Sequence, residues 1–245
     1  MPTIPIAHRP WPLPARPWVM SMVWRDLAFL HWPVSVATLR PLIPEGLAID
    51  TWDGTAWLGV VPFAMESVCP RFTPRIPPIS DFPELNVRTY VTAGGKPGVW
   101  FFSLDAASAL AVRTARAVFH LPYFDARIRC EAEEESVDYD SLRTHRGALA
   151  GEFRARYRPT AGPQSGCPGT IEHWLTERYC LYSAHRGKLF RGEIHHEPWP
   201  LQSAEVEIQT NSVGEIAGCP LIGSPALAHY AKRLFVQAWL IQPTV

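Results

Sequence analysis

What the chain has little of narrows the field before any motif is read. Among its 245 residues stand three lysines, Lys96, Lys188 and Lys232. Basic and acidic side chains number 23 each, so the formal net charge is zero. A nucleic-acid binder ordinarily carries a basic surplus on one face, and nucleic acid is therefore not an expected partner. No uninterrupted apolar run approaches the roughly 18 residues that span a bilayer. Pro2, Pro5, Pro10, Pro12, Pro14 and Pro17 interrupt any secretory apolar core, so no membrane association is expected. The five cysteines, Cys69, Cys130, Cys167, Cys180 and Cys219, are widely spaced and form no Cys-x-x-Cys. Reduced thiols in a cytoplasmic protein are the simplest reading. His195 and His196 are adjacent, so on a strand they point to opposite faces, and no third ligand stands at a recognised spacing. No metal and no cofactor is expected. Repeats and linkers are missing too, which makes residues 1–245 a single domain.

What is abundant is proline with aromatics. The 25 prolines are about twice the usual share. Proline is kept out of helix interiors and central strands, so short elements joined by ordered turns are expected. Residues 1–23 read as an extended, proline-rich arm packing its aromatics onto the body. Ser35 can cap a short helix over Val36–Leu42, with a turn at Glu45-Gly46. Strand-like runs at Leu47–Asp50 and Ala56–Met65 flank Asp53-Gly54, a hairpin signal. Residues 69–83, broken by Pro70, Pro74, Pro77, Pro78 and Pro83, read as an irregular excursion of the kind that forms lids or mouths. Strands follow at Asn86–Thr92 and Val99–Leu104, around a turn at Gly94–Gly98.

Asp105 is read as the N-cap of an alanine-rich helix over Ala106–Phe119. Strands are expected at Tyr123–Glu133, Ser136–Leu142 and Gly151–Arg158, then a loop at Pro159–Gly169 and a short helix at Ile171–Glu177 behind Thr170. Arg178–Ala184 and Lys188–His195 form a hairpin around Arg186-Gly187. Trp199–Thr210 reads as a strand, and Pro225–Lys232 as a short helix before a last apolar run. Many short strands and few helices predict a barrel or sandwich with helices attached.

Several strings carry a family resemblance. Phe82-Pro83-Glu84-Leu85-Asn86-Val87-Arg88-Thr89-Tyr90-Val91 and Pro97-Gly98-Val99-Trp100-Phe101-Phe102-Ser103-Leu104-Asp105-Ala106 resemble the YqjF-like family, a domain of unknown function. So do Phe29-Leu30-His31-Trp32-Pro33, Thr176-Glu177-Arg178-Tyr179-Cys180-Leu181-Tyr182 and Ile194-His195-His196-Glu197-Pro198-Trp199-Pro200-Leu201. The family is placed in the acetoacetate-decarboxylase-like superfamily. The resemblance implies an α+β, mostly β fold: a cone-shaped antiparallel β barrel with an internal cavity and a few peripheral helices. Pro83-Glu84 looks like the counterpart of the decarboxylase glutamate. Arg116 and Pro122 match the arginine and proline of a helix that runs into a Pro-Lys-Lys turn. The two lysine positions hold Tyr123 and Phe124. An imine needs a neutral amine, and neither aromatic supplies one, so imine chemistry is not expected.

The candidate catalytic residues are thus Glu84, Arg116 and Tyr123. Glu84, buried in an apolar cavity, would titrate near neutral pH as a general acid or base; the plain alternative is a strand-edge carboxylate paired with Arg88, four residues on. Arg116 shares a helix face with Arg113 and His120 and would grip an anion, or else belong to a solvated stripe. Tyr123 would donate a hydrogen bond, or else be an ordinary core aromatic. Arg88, Arg178, Tyr182 and His195 are candidate substrate-binding residues; a buried Arg178 needs a partner, with Glu84, Glu177 and Asp105 the candidates. The expected function is binding of a small anionic or oxo-type molecule in an internal cavity, with lyase or isomerase chemistry by acid–base catalysis. The rival expectations are a non-catalytic barrel holding a hydrophobic or aromatic ligand, and a scaffold whose cavity is filled by its own side chains. A homo-oligomer is left open.

Overall fold

The computed structural model describes residues 4–77 and 79–244. Residues 1–3 of the expected arm and Pro78 of the expected excursion lie outside the described residues. Residues 4–19 form no strand or helix, and β1 (Met20–Val34) follows. The pattern at 20–34 does not announce a strand, because β1 is buried on both faces along Leu27–Trp32 and so shows no apolar–polar alternation. A short α1 (Val36–Leu39), capped by the Ser35 hydroxyl as expected, leads to β2 (Ala48–Ile49), β3 (Ala56–Pro70) and β4 (Phe82–Ala93). The irregular excursion is shorter than its prolines suggest, because β3 runs on through Pro70 and β4 starts at Phe82.

β5 (Lys96–Ala106) extends past the expected strand and absorbs Asp105. The cap of α2 (Ala109–Val118) is instead Ser108, whose hydroxyl accepts from the Ala111 amide. Asp105 is drawn into the strand because Arg143 stands opposite: its Nε donates to Asp105 Oδ1 at 2.8 Å, with both side chains buried. β6 (Tyr123–Ala132), β7 (Val137–Arg143) and β8 (Glu152–Pro159) form an antiparallel meander. After α3 (Ile171–Thr176) come β9 (Cys180–His185), β10 (Lys188–His196), β11 (Gln202–Asn211), α4 (Val213–Ile216), β12 (Leu227–Ala238) and β13 (Gln242–Pro243).

The helix expected over Pro225–Lys232 is overturned, for residues 227–238 form β12. Local alanines favour helix weakly, but β12 pairs with β1 along eleven positions and its two ends pair with β11 and β10. Tertiary pairing outweighs that propensity.

The hydrogen-bonding circuit returns on itself, β5–β6–β7–β8–β11–β12–β1–β3–β4–β5, which gives a ring-like, mostly antiparallel sheet. β9 and β10 fork off it: β9 pairs with the start of β5, and β10 with the end of β12. α2 bridges the parallel pair β5 and β6. One core cluster gathers Phe29, Phe63, Phe82, Tyr123 and Trp199, and a second gathers Tyr139, Phe153, Tyr157 and Tyr230. Among the described residues no helix is long and apolar enough to cross a membrane.

Candidate active-site cavity

Strand alternation lines the inside of the ring. β4 turns Phe82, Glu84, Asn86 and Arg88 inward; β3 turns Met65, Phe63 and Val61; β1 turns Met20, Met22 and Trp24. Pairing sets Met65 beside Phe82, Phe63 beside Glu84 and Val61 beside Asn86. These side chains, with others from β5, α2, β9, β10 and β12, enclose a cavity of about 260 Å³. The scaffold expectation, in which side chains fill the interior, does not hold. Ile79 and Leu110 line the cavity and yet are 48% and 55% exposed, which marks its mouth. The proline-rich segment and α2 flank that opening.

Within a mostly apolar lining stand two carboxyls, Glu84 and Glu193, and Glu193 is already paired with Arg9 and Lys96. Glu84 is 1% exposed, and Tyr123 Oη donates to its Oε2 at 2.8 Å. Burial pushes the Glu84 carboxyl up to about 8, with the nearby Asp105 charge adding to this and the Tyr123 hydrogen bond opposing it. At neutral pH Glu84 is therefore mostly protonated. Burial and the neighbouring Glu84 push the Tyr123 phenol upward as well, so it stays an –OH. The two separately chosen candidates Glu84 and Tyr123 are thus in direct contact.

The remaining candidates divide. Arg88 lines the cavity and is not paired with Glu84: among the described residues it makes no salt bridge, and its Nε has no hydrogen-bond partner. Its guanidinium carbon lies 5.1 Å from the Phe29 ring centre and 5.8 Å from that of Tyr90. Arg116 lies outside the cavity, on the exposed side of α2, and its Nη1 donates to the Tyr123 carbonyl at 2.7 Å. It straps the start of β6, because at the last turn of α2 the helix turns its cavity face through Ala111 and Ala115 instead. Arg113 is likewise exposed, and His120 stacks on His185 with ring centres 4.1 Å apart in a separate surface cleft.

Arg178 is also corrected. It is buried, but its Nη1 donates to Asp50 Oδ2 at 2.6 Å and its Nε to the Trp174 carbonyl at 2.6 Å; none of the three carboxylates named as candidate partners is the one used. Tyr182 does not reach the cavity either, since its hydroxyl donates toward the Ala93 and Lys96 carbonyls at 3.0 and 2.7 Å. On β9 the lining residue is Leu181, and on β10 the lining residues are Gly192, Glu193 and Ile194. His195 is not among them and stacks against His8 of the N-terminal segment at 5.6 Å.

Asn86 and Glu193 are polar cavity residues that the sequence reading missed, and Asn86 was the more accessible of the two to local pattern. It lies two residues from both Glu84 and Arg88, so strand period alone could have found it. Among the described residues no lysine lines the cavity. Lys96 instead bonds Glu193 at 3.2 Å, and Lys232 bonds Asp26 at 2.9 Å with its side chain 65% exposed. Nor do the described residues bring together a cluster of three or more metal-ligating side chains.

A ring-like sheet of this topology is the fold of acetoacetate-decarboxylase-like proteins. The acetoacetate decarboxylase of Legionella pneumophila matches with a TM-score of 0.63 at 10% identity, over 98% of this chain and 93% of its own. An acetoacetate decarboxylase-like enzyme from Sphingomonas wittichii RW1 gives 0.62 at 13% identity, over 97% of both chains. The enduracididine biosynthesis enzyme MppR, complexed with pyruvate, gives 0.62 at 12% identity, over 93% of this chain and 91% of its own. At such identities the likeness is one of fold. Within that fold the chain belongs to the family DUF2071, described as an uncharacterized conserved protein, whose model matches residues 21–234. YqjF of Bacillus subtilis (strain 168) is 47% identical over 222 residues, 91% of each chain.

Proposed function

We propose that the cavity moves a proton on the carbon beside a carbonyl group of a small oxo acid, by acid–base chemistry and without an imine. The observation that carries the reading is the buried Glu84–Tyr123 pair, 2.8 Å apart, in a cavity that no lysine enters. A bound carbonyl oxygen would accept a hydrogen bond from the Tyr123 hydroxyl. The Glu84 carboxylate would take the proton from the adjacent carbon, and the enolate oxygen would keep its charge against the phenol O–H. Returning that proton, or passing the enolate on to lose or gain a group, is lyase or isomerase chemistry. A carboxyl poised near 8 is suited to both directions. Arg88 supplies the positive pole for the acid group. The fold relative MppR binds pyruvate, which supports oxo acids as the first compounds to try.

The test is proton exchange in D2O, followed by NMR, with pyruvate, 2-oxobutanoate, acetoacetate and longer oxo acids. Exchange at the carbon next to the carbonyl is expected. It should rise with pH and level off above about 8, as Glu84 ionises. Glu84→Gln should lower it about 100-fold or more. Borohydride should trap no adduct on Lys96, Lys188 or Lys232. Exchange that survives Glu84→Gln, or a trapped lysine, would sink the reading.

A second reading has its own support. Met20, Met22, Met65, Phe63, Phe82 and Phe101 make most of the wall apolar, which suits a protein that holds a hydrophobic ligand and returns it unaltered. Thermal stabilisation by such a ligand without exchange or turnover would favour it.

A further inference from the structure

The cavity has a direction. Along β4 the inward residues run from Phe82 through Glu84 and Asn86 to Arg88, and along β1 from Met20 through Met22 and Trp24 to Leu27. β3 runs the other way, so that Met65 pairs with Phe82 at the first of these, Val61 with Asn86, and Gly59 with Arg88 at the last. The exposed mouth residues Ile79 and Leu110 mark one end. Arg88 therefore stands at the blind end, beneath a wall of methionine, leucine and phenylalanine.

An arginine in that place is costly unless something pairs with it. Arg88 is 9% exposed, packs against aromatic rings, and has no carboxylate partner among the described residues. An isolated buried cation is strongly unfavourable. The surroundings reinforce the imbalance. Asn86 keeps one end of its amide unpartnered, and the indole N–H groups of Trp24 and Trp199, two further lining residues, also lack partners. The fold makes room for the arginine. Gly59 pairs with Arg88 across β3 and β4, and a Cβ there would meet the His31 ring at 3.2 Å and the Arg88 stem at 3.5 Å.

We propose that the cavity takes an amphiphilic carboxylic acid head first, with its carboxylate on Arg88 at the blind end and an apolar tail running out past Ile79 and Leu110. The substrate class is then an oxo acid with an alkyl or aryl tail. The inference rests on this cavity being the ligand site, but not on the Glu84 chemistry. A carboxylate on the planar guanidinium fork completes the charge, and neutral Glu84, two inward positions nearer the mouth with Asn86 between, meets the tail without repelling the head. Met20, Met22 and Met65 are flexible, polarisable walls that suit tails of differing shape.

Calorimetry with hexanoate, octanoate and decanoate against hexanol, octanol and decanol provides the test, using the intact chain at pH 7. Each acid should bind at least tenfold tighter than the alcohol of equal length. Affinity should rise about fourfold per added methylene until the tail clears the mouth. Arg88→Met should abolish the preference for acid over alcohol. Because it removes an unpaired charge, the thermal midpoint of the free protein should hold or rise, an outcome that a purely structural arginine would reverse. Equal binding of acids and alcohols by the wild-type chain overturns the proposal whether or not the variant folds, as does a preference that survives Arg88→Met. Tail-dependent acid binding without exchange in D2O would keep this inference and end the catalytic one; exchange of pyruvate with no gain from longer tails would do the reverse.

Discussion

Arg178 and Arg88 are both buried and both packed on Tyr90, yet the protein treats them oppositely. Arg178 lies with its guanidinium carbon 4.9 Å from the Tyr90 ring centre and 4.4 Å from that of Trp174, and it is closed off by Asp50 and a backbone carbonyl. Arg88 has the ring faces of Phe29 and Tyr90 but no anion among the described residues. The acids differ in the same way. Asp105 has Arg143, whereas Glu84 has an uncharged phenol and gives up its own charge. Where this fold needs a charge for stability it completes the pair. Where it leaves the pair incomplete there is a cavity, and the missing partner is a ligand's to supply.

The largest expected effect concerns the open carboxyl. In the unfolded chain Glu84 ionises near 4.5, but in the folded chain near 8. The folded state thus holds a proton that the unfolded state has lost, and stability falls as pH rises from 4.5 to about 8, then levels off. At about 1.4 kcal/mol per unit, the upper bound is about 5 kcal/mol. Denaturant titrations of Glu84→Gln and wild type should therefore diverge in the variant's favour across that interval and converge in acid; parallel profiles would mean that Glu84 is charged when folded. Next in size is the closed arginine. Arg178→Met leaves Asp50 uncompensated and should lower stability by about 3 kcal/mol, measured the same way. Arg88→Met, tested above for acid binding, should by contrast change stability by less than about 1 kcal/mol. If the two arginine variants lost stability equally, the distinction between them would be gone. The smallest effect belongs to the solvent-facing pairs of the meander. Arg154→Ala, which removes a 2.6 Å bond to Asp140 at the surface, should cost about 0.2–1 kcal/mol and vanish in high salt.

Much of the site was legible in the chain. The family pattern singled out Glu84 and Tyr123, and the absence of lysine at 123 and 124 followed from letters alone. Arg88 was legible through its period-2 spacing from Glu84, and the same spacing would have given Asn86. Arg116, Arg178, Tyr182 and His195 were assigned to the cavity and lie elsewhere. A strand's period tells which residues share a face but not which face turns inward, and on β9 and β10 the cavity-lining set is Leu181, Gly192, Glu193 and Ile194. Asp105 looked like a cap because Asp before alanines usually is one; its partner Arg143 is 38 residues away and invisible to local pattern. Pro225–Lys232 looked like a helix from its alanines, while the strands that pair with β12 lie far away in the chain.

By itself the sequence determined that this is a mostly β chain, and its family resemblance set Tyr123 and Phe124 at the positions where lysines were expected, because both readings rest on residue type and short strings. Only the tertiary structure decided which arginine is completed and which is left open. Partners for buried charge come from distant strands, and only ring closure settles which of them meet.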